Sequence, residues 1–192
     1  MDYKGHLKSG TILGLILIDT ISNQNLSNLN NMSAASFTGM GLGLIIGSGL
    51  PDIDHHKSYI AKKLSFVGTI ISRFFSHRGF THSIPFLIIL SLLLSFSKPF
   101  VAPNYKSFYE YFSFALIFST FIHIFMDMFV GNGVNLFAPF FKKRFYFFKI
   151  KSGSKSERGF HSFITFCFIV YLLFRANLLD EILKLFYDTY NN

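Results

Sequence analysis

The chain has 192 residues, of which 51% are hydrophobic and only 15% are charged, and its formal net charge is +8. A typical soluble domain carries about 25% charged residues, and 27 phenylalanines are more than a soluble core of this size can bury, so the composition argues against a soluble protein. The positive charge lies in loops between apolar runs, which indicates membrane topology rather than a nucleic-acid partner. The single cysteine, Cys167, excludes an internal disulfide, a cysteine-based zinc finger and a dithiol redox pair.

Five apolar segments follow one another along the chain. They cover residues 10–21, 34–50, 84–96, 108–130 and 160–174, and the first reaches the length of a span only with residues 22–29. A membrane-spanning helix needs about 20 residues, so the number of spans is four or five. Because the segments lack the regular alternation of strands, the sequence predicts one all-α domain over residues 1–192, a polytopic membrane bundle of 4–5 segments.

Two other stretches have helical periodicity without the hydropathy of a span. Residues 57–75 place Leu64, Val67 and Ile71 at helical spacing with basic residues between them, which predicts an amphipathic helix at the membrane interface. Residues 180–192 are expected to form a second short amphipathic helix. The many glycines in residues 34–50 predict close packing against another helix.

Lysine and arginine are distributed unevenly around the segments. If the N-terminus is cytoplasmic and five segments alternate, fourteen of the 18 basic residues lie on the cytoplasmic side, which satisfies the positive-inside rule. The same orientation places all 7 histidines at the cytoplasmic ends of the segments. The distribution of basic residues does not by itself require the histidines to lie on one side. Their common location therefore predicts a polar site facing the cytoplasm.

The stretch after the second apolar segment combines two carboxylates with two imidazoles. Pro51 disfavours further helix, and an extended chain beyond it would point Asp52 and Asp54 to the same side. Two neighbouring carboxylates repel and are costly to desolvate near a membrane, and a metal ion at Asp52, Asp54 and His55 would offset both costs. A helix-ending turn with solvated Asp and His side chains is an equally open alternative. His56 is the next residue in the sequence and is not part of the proposed ligand set.

Two further clusters contain histidine. His123 and Asp127 are four residues apart, so they share one face of a helix, where they predict either a functional site or a hydrogen bond that only packs helices. His77 and His82 flank Gly79, which permits a turn between them. The alternative for that segment is a basic interfacial loop.

Together these clusters predict one polynuclear metal site. Its ligands are expected to be Asp52, Asp54, His55, His77, His82, His123 and Asp127, with His6 and Glu157 as additional candidates. Imidazoles and carboxylates without thiolates suit zinc, with manganese or iron as alternatives, and the set exceeds one coordination sphere, so two or more ions are predicted. Asp54, Arg78 and His82 are the predicted catalytic residues, with Asp54 bridging two cations and Arg78 binding an anionic oxygen.

At these positions the chain resembles the YdjM-type family, described as LexA-binding, inner-membrane-associated metal-dependent hydrolases. The matching pieces are Gly5-His6-Leu7, Leu50-Pro51-Asp52-Ile53-Asp54-His55 with Lys57-Ser58, His77-Arg78-Gly79-Phe80-Thr81-His82-Ser83, His123-Ile124 with Asp127-Met128, Gly133-Val134 and Glu157-Arg158. The resemblance implies a bacterial inner-membrane location. Through a distant similarity to zinc-dependent phospholipase C and related nucleases, it also implies hydrolysis of phosphate esters.

The chain departs from the family pattern at two places that bear on substrate shape. Phe129-Val130-Gly131-Asn132 stands where the family often has Thr-Pro, and Ala138 stands where it often has Trp. LexA binding is a property of one member and is not carried over to this chain.

Three classes of function fit these observations. The first is a membrane-embedded metal-dependent hydrolase that cleaves phosphate ester bonds of a lipid or lipid-linked substrate at the cytoplasmic face. The second is a transporter or proton relay, which would usually show paired interrupted segments in two halves of the chain. The third is a non-catalytic membrane regulator or assembly partner, in which the metal only holds helices together.

Overall fold

Five α-helices form the part of the chain described by the computed structural model, which covers residues 3–23, 33–55 and 78–175. They are α1 (Tyr3–Asn23), α2 (Ala34–Gly49), α3 (Ile84–Ser97), α4 (Lys106–Asp127) and α5 (Lys155–Arg175). Short 3-10 turns lie at Leu50–Asp54, Phe80–His82, Lys98–Phe100 and Pro103–Tyr105. These residues form no β-strand, only isolated bridges between Val130 and Ile150 and between Val134 and Phe145.

Three of the helical stretches are long and apolar enough to cross a membrane. They are Ala34–Asp54, Pro103–Asp127 and Lys155–Phe174, and the apolar stretch Ile84–Phe100 is shorter. Large side chains on the outside of α3 and α5 are exposed, as expected for lipid-facing residues; Leu92, Phe96 and Phe163, for example, are between 63% and 74% exposed. The predicted all-α, polytopic membrane fold is therefore confirmed. The predicted amphipathic helices at residues 57–75 and 180–192 lie outside the described residues.

A glycine-lined contact joins α2 to α4. Gly39, Gly43 and Gly47 are four residues apart and share one face of α2, and a Cβ atom at any of them would fall on a backbone carbonyl oxygen of α4. Ser119 of α4 donates a hydrogen bond of 2.8 Å to the carbonyl oxygen of Leu44. The expectation of close packing by small residues is borne out.

Replacing Gly43 by alanine is expected to destabilise the protein by about 1–3 kcal/mol, because the new methyl group would displace the carbonyl oxygen of Phe112. Gly41→Ala is the matched control, since nothing lies within 4 Å of a Cβ at that position of the same helix. There, the better helix propensity of alanine should stabilise the helix by up to about 1 kcal/mol. Thermal unfolding in detergent micelles measures both changes, and equal shifts in the two variants would contradict the packing.

Helix caps shift the boundary of α5 relative to the sequence prediction. The hydropathy pattern began this segment at residue 160, but the helix begins at Lys155. The Ser154 hydroxyl accepts a hydrogen bond from the backbone N–H of Glu157 (3.2 Å), and the Glu157 carboxylate accepts one from the N–H of Gly153 (2.6 Å). This arrangement is similar to a capping box, except that Glu157 accepts from the residue before the N-cap, and it satisfies backbone donors that hydropathy does not register.

The turn after α2 differs from the predicted extended chain. Residues Leu50–Asp54 form a 3-10 turn, in which Pro51 is tolerated because the first residues of a helical turn do not use their N–H groups. The extended conformation, one of the two alternatives for this stretch, is therefore wrong, and the turn is the one observed. Both side chains are buried, and they face opposite nitrogens of His82, Asp52 facing Nε2 and Asp54 facing Nδ1.

The segment between α4 and α5 folds back against one end of the bundle. Gly131 N–H donates to the carbonyl oxygen of Ile150 (2.8 Å), and Val134 and Phe145 exchange two backbone hydrogen bonds of 3.0 and 2.8 Å. Gly131 has a φ of 79°, which an L-residue rarely adopts. The basic residues around Ile150 are thereby brought next to the end of α4.

Candidate metal centre

Buried histidines and aspartates from distant parts of the chain converge at one end of the bundle. His6 comes from α1, Asp52 from the turn after α2, His82 from the turn before α3, and His123 and Asp127 from the last turns of α4. All five side chains are buried. They form two groups whose potential ligand atoms lie within 4.8 Å of one another, namely His6, His123 and Asp127, and Asp52, His82 and His123.

The hydrogen bonds of His123 fix its tautomer. Its Nδ1 lies 2.6 Å from the carbonyl oxygen of Ser48, which can only accept, so Nδ1 carries the proton and Nε2 presents a lone pair. That Nε2 is 3.7 Å from an oxygen of Asp52 and 3.9 Å from Asp127 Oδ2. The carbonyl group of Ser48 thus orients His123 as a neutral ligand.

His6 stacks on His123 and contributes donor atoms of its own. The two rings are parallel to within 7°, with their centroids 3.5 Å apart. His6 Nε2 lies 3.2 Å from Asp127 Oδ1 without pointing along a hydrogen bond, and neither it nor His123 Nε2 has a hydrogen-bond partner among the described residues. Leaving a buried polar atom unsatisfied costs about 1–3 kcal/mol, so this donor set fits a bound cation.

His82 is oriented from its other side by Thr81 and Asp54. The Thr81 hydroxyl donates to Asp54 Oδ2 (2.7 Å), so it can only accept from His82 Nδ1 at 3.2 Å. His82 Nε2 then faces Asp127 Oδ2 at 3.4 Å and Asp52 Oδ1 at 3.6 Å. A lone pair aimed at two carboxylates also fits a cation between them.

The electrostatic field at His82 favours positive charge. Burial alone would lower its pKa, but the carboxylates of Asp127, Asp52 and Asp54 outweigh burial and raise the pKa of His82 well above its ordinary value. The same carboxylates that stabilise a proton on this imidazole would stabilise a divalent cation.

Asp54 and Asp127 occupy different positions in the cluster. Asp54 Oδ2 accepts hydrogen bonds from Thr81 and from the backbone N–H of Arg78 (3.0 Å), and Asp54 belongs to neither group of potential ligands. Asp127 directs Oδ1 toward His6 Nε2 and Oδ2 toward His82 Nε2. The bridging role of Asp54 therefore stays a prediction. The two oxygens of Asp127, in contrast, face one histidine in each of the two groups of potential ligands.

Arg78 connects this cluster to the protein surface. Its Nη2 donates to Asp127 Oδ1 and its Nη1 to the carbonyl oxygen of Val130, both at 3.1 Å. The backbone of Arg78 has a φ of 62°, a conformation that costs a non-glycine residue roughly 1–2 kcal/mol. The bond from its N–H to Asp54 stabilises this strained conformation and so directs the guanidinium toward Gly131.

A cationic cavity opens beside Arg78. Its volume is about 660 Å³, and its walls include His55, Arg78, Gly131, Arg144, Lys149 and Lys151. Since Arg78 contacts both Asp127 and this space, a molecule bound to Arg78 in the cavity would be separated from the histidine–aspartate cluster by that one side chain. Such a site could bind an anion against a metal ion.

The remaining predicted residues lie apart from the two ligand groups. His55 lines the cavity, and Glu157 caps α5 with its Oε1 4.0 Å from His161 Nε2. His56 and His77 lie outside the described residues, so the ligand role predicted for His77 is untested.

Sequence reasoning did not include several residues that shape the site. The carbonyl group of Ser48 and the Thr81 hydroxyl orient two imidazoles. Thr81 stands inside a motif already singled out, so its hydroxyl was a readable signal. Arg144, Lys149 and Lys151 line the cavity, but in the sequence their charge was attributed only to membrane topology.

The fold and the cluster define a polytopic helical membrane protein with a buried histidine–aspartate centre that could hold a metal ion. The family described as "YdjM inner membrane protein" matches residues 1–180, and the chain belongs to this family. YvsG of Bacillus subtilis (strain 168) is 28% identical over 135 residues, covering 69% of this chain and 79% of its own length. The inner membrane protein YdjM of Escherichia coli (strain K12) is 49% identical over 47 residues, which are 24% of this chain and 23% of its own length. No solved structure matches.

Proposed function

We propose that this protein is a membrane-embedded metal-dependent hydrolase that cleaves phosphate ester bonds of a lipid or lipid-linked substrate at the cytoplasmic face of the inner membrane. The observation that carries the proposal is the position of Arg78, which contacts the buried cluster through Asp127 and lines the cationic cavity. A phosphate bound to this arginine would lie beside the metal-binding residues.

The metal would be held by the five converging side chains, His6, Asp52, His82, His123 and Asp127. Divalent ions bound here, zinc in the first place and manganese or iron as alternatives, would supply the Lewis acidity that phosphate ester hydrolysis requires. Two groups of ligands favour two ions. One imidazole nitrogen binds one cation, whereas the two oxygens of a carboxylate can bind two, so we assign the shared position to Asp127 rather than Asp54.

The other polar residues would position the substrate. Arg78 would donate hydrogen bonds to phosphate oxygens, and Asp54 would act as a positioning residue, because it binds the N–H of Arg78 and the hydroxyl of Thr81. His82 would act as a ligand. The positive charges around the cavity would offset the negative charge of a phosphate and so favour its entry from water.

The cavity also distinguishes this proposal from the non-catalytic alternative. A metal that only holds helices together is usually enclosed by protein ligands, whereas a catalytic metal keeps an open side. Here a cavity of about 660 Å³ reaches Arg78, which contacts Asp127, so movement of this one side chain would open the cluster on that side. We therefore favour hydrolysis over a purely structural metal in a regulator.

Exposed aromatic rings near the cavity favour a substrate in the membrane. Phe140, Phe141, Phe147 and Phe148 are between 53% and 75% exposed and flank the basic stretch that contains Arg144. Aromatic and basic residues together suit the membrane–water interface, where lipid headgroups lie.

Metal analysis combined with a lipid hydrolysis assay tests the proposal. Detergent-purified protein is expected to contain about two divalent ions per chain and to release phosphate or a headgroup from some members of a panel of lipid phosphomonoesters, phosphodiesters and diphosphates. Chelation should abolish this activity, and readdition of the metal should restore it. Protein that retains metal but hydrolyses none of the panel would support the regulator instead.

Cysteine labelling tests the cytoplasmic position of the site. In a Cys167→Ala background, Ser152→Cys places a thiol at the cavity, and Asn104→Cys places one at an exposed position in the turn between α3 and α4. In intact cells an impermeant thiol reagent should label Cys at position 104 and not at position 152. In opened membranes it should label both. The reverse pattern in intact cells would place the site on the other face.

A further inference from the structure

The cavity beside the cluster carries an unbalanced positive charge. Its cationic walls are Arg78, which is paired with Asp127, and Arg144, Lys149 and Lys151, and the described residues that line it include no carboxylate. Within the described part of the chain, Arg144 and Lys151 form no ion pair, and Lys149 Nζ lies 4.5 Å from the centre of the Tyr146 ring. The sequence of residues 56–77, which the structure does not describe, contains no Asp or Glu. These positive groups repel one another, and an anion in the cavity would offset that repulsion.

The cations lie in an inner and an outer position. The side chain of Arg78 is only 13% exposed and contacts Asp127, while its Nε–H has no hydrogen-bond partner in the described ranges. Gly131, which packs against the guanidinium, donates its N–H to the carbonyl oxygen of Ile150. Lys149 and Lys151 flank Ile150 and are exposed. One cation therefore adjoins the metal-binding cluster, and the other three are exposed residues of the same cavity lining.

The volume of the cavity exceeds the needs of one phosphate group. About 660 Å³ would hold roughly 20 water molecules and falls within the range of about 300–1,000 Å³ typical of sites for small organic ligands. A ligand with two linked anionic groups could contact the inner and the outer cations together.

We propose that the cavity binds a diphosphate group. The phosphate that undergoes hydrolysis lies at Arg78, and the second phosphate lies at Arg144, Lys149 and Lys151. This inference deepens the proposed function and rests on it, because it names the substrate class of the same site. The outer cations hold the distal phosphate, and the inner phosphate is thereby held against the cluster.

Binding of two non-hydrolysable probes tests the inference independently of activity. Methylenediphosphonate and methylphosphonate are titrated into metal-loaded protein in detergent by isothermal titration calorimetry, with metal content measured afterwards to detect chelation. The diphosphonate should bind at least tenfold more tightly than the monophosphonate. Lys151→Gln and Arg144→Gln should each weaken diphosphonate binding about tenfold, as expected for loss of a charge-assisted hydrogen bond, and change methylphosphonate binding less than twofold.

Lys143→Gln is the matched control, because it removes the same charge from the same segment but not from the cavity wall. Lys143 Nζ lies 5.7 Å from the centre of the Phe145 ring, and the residue does not line the cavity. Equal affinity for the two probes, or equal weakening by Lys143→Gln and Lys151→Gln, would overturn the inference. Tight diphosphonate binding without hydrolysis of any lipid would instead overturn the proposed function and leave the diphosphate site standing.

Competition identifies the source of the diphosphate. Farnesyl diphosphate and adenosine diphosphate are each used to displace methylenediphosphonate from the protein. Displacement at lower concentration by the prenyl compound assigns the site to a lipid diphosphate, and displacement at lower concentration by the nucleotide assigns it to a soluble one. If neither compound displaces the probe, the site does not bind a biological diphosphate and the inference is wrong.

Discussion

Asp127→Asn protein is expected to lose its metal and all measurable hydrolysis. Asp127 is buried and directs its two oxygens toward His6 and His82, so asparagine keeps the size but removes the charge and one oxygen donor. Loss of a residue that only supports a ligand already lowers metal affinity about 10–100-fold, and loss of a shared ligand should exceed this. The change also leaves the guanidinium of Arg78 without its carboxylate.

Mass spectrometry of the metal content of detergent-purified protein measures this effect. Glu110→Gln is the control, because Glu110 is an exposed carboxylate that pairs with Lys98 at 2.8 Å and lies outside the cluster. It should retain full metal content and activity, and both variants should keep the helical circular dichroism of the wild type. Full metal occupancy in Asp127→Asn would show that Asp127 is not a shared metal ligand.

Asp54→Asn distinguishes the two aspartates. The sequence predicted that Asp54 bridges the metals, in which case this variant should lose as much metal as Asp127→Asn. The contacts of Asp54 with Thr81 and Arg78 predict a smaller loss of metal, because Asp54 affects the metal ligands only by orienting them. They also predict a loss of hydrolysis, because Arg78 would lose its orientation. Comparing the metal content of the two variants therefore decides which aspartate is shared.

Much of the helical architecture could be predicted from the sequence, because helices in lipid must satisfy their own backbone and so leave long apolar runs. The convergence of polar residues was also readable. His123 and Asp127 share a helix face by spacing alone, and the charge distribution placed the histidines in one layer. These inferences need only local periodicity and the constraint of the membrane.

The orientation of the individual side chains could not be predicted in this way. The 3-10 turn after α2 places Asp52 at Nε2 of His82 and Asp54 at Nδ1 of the same ring, and sequence spacing does not register that difference. The cavity arises because the segment after α4 folds back until Gly131 bonds to Ile150, a contact between residues far apart in sequence. For that reason the basic residues of this segment had been attributed only to topology.

Gly131→Ala is expected to lower kcat/KM for hydrolysis about 100-fold while leaving the metal bound. A Cβ atom at this position would lie 2.5 Å from Arg78 Nη1, so alanine must displace the guanidinium. Misplacement of a substrate-positioning group by about 1 Å can cost about 100-fold in rate. The five converging ligands are separate side chains that the new methyl group does not replace, so mass spectrometry should find the metal content of the wild type.

Gly153→Ala separates displacement of Arg78 from backbone strain. Gly153 has a φ of 78°, against 79° for Gly131, but nothing lies within 4 Å of a Cβ atom there. Both substitutions therefore cost a similar amount of backbone free energy, about 1–2 kcal/mol, and only the one at position 131 moves the arginine. Activity close to wild type in Gly153→Ala and a loss in Gly131→Ala similar to that in Arg78→Ala would assign the effect to phosphate positioning. Equal losses in the two glycine variants would mean that backbone strain in the segment between α4 and α5, and not the position of Arg78, controls the rate.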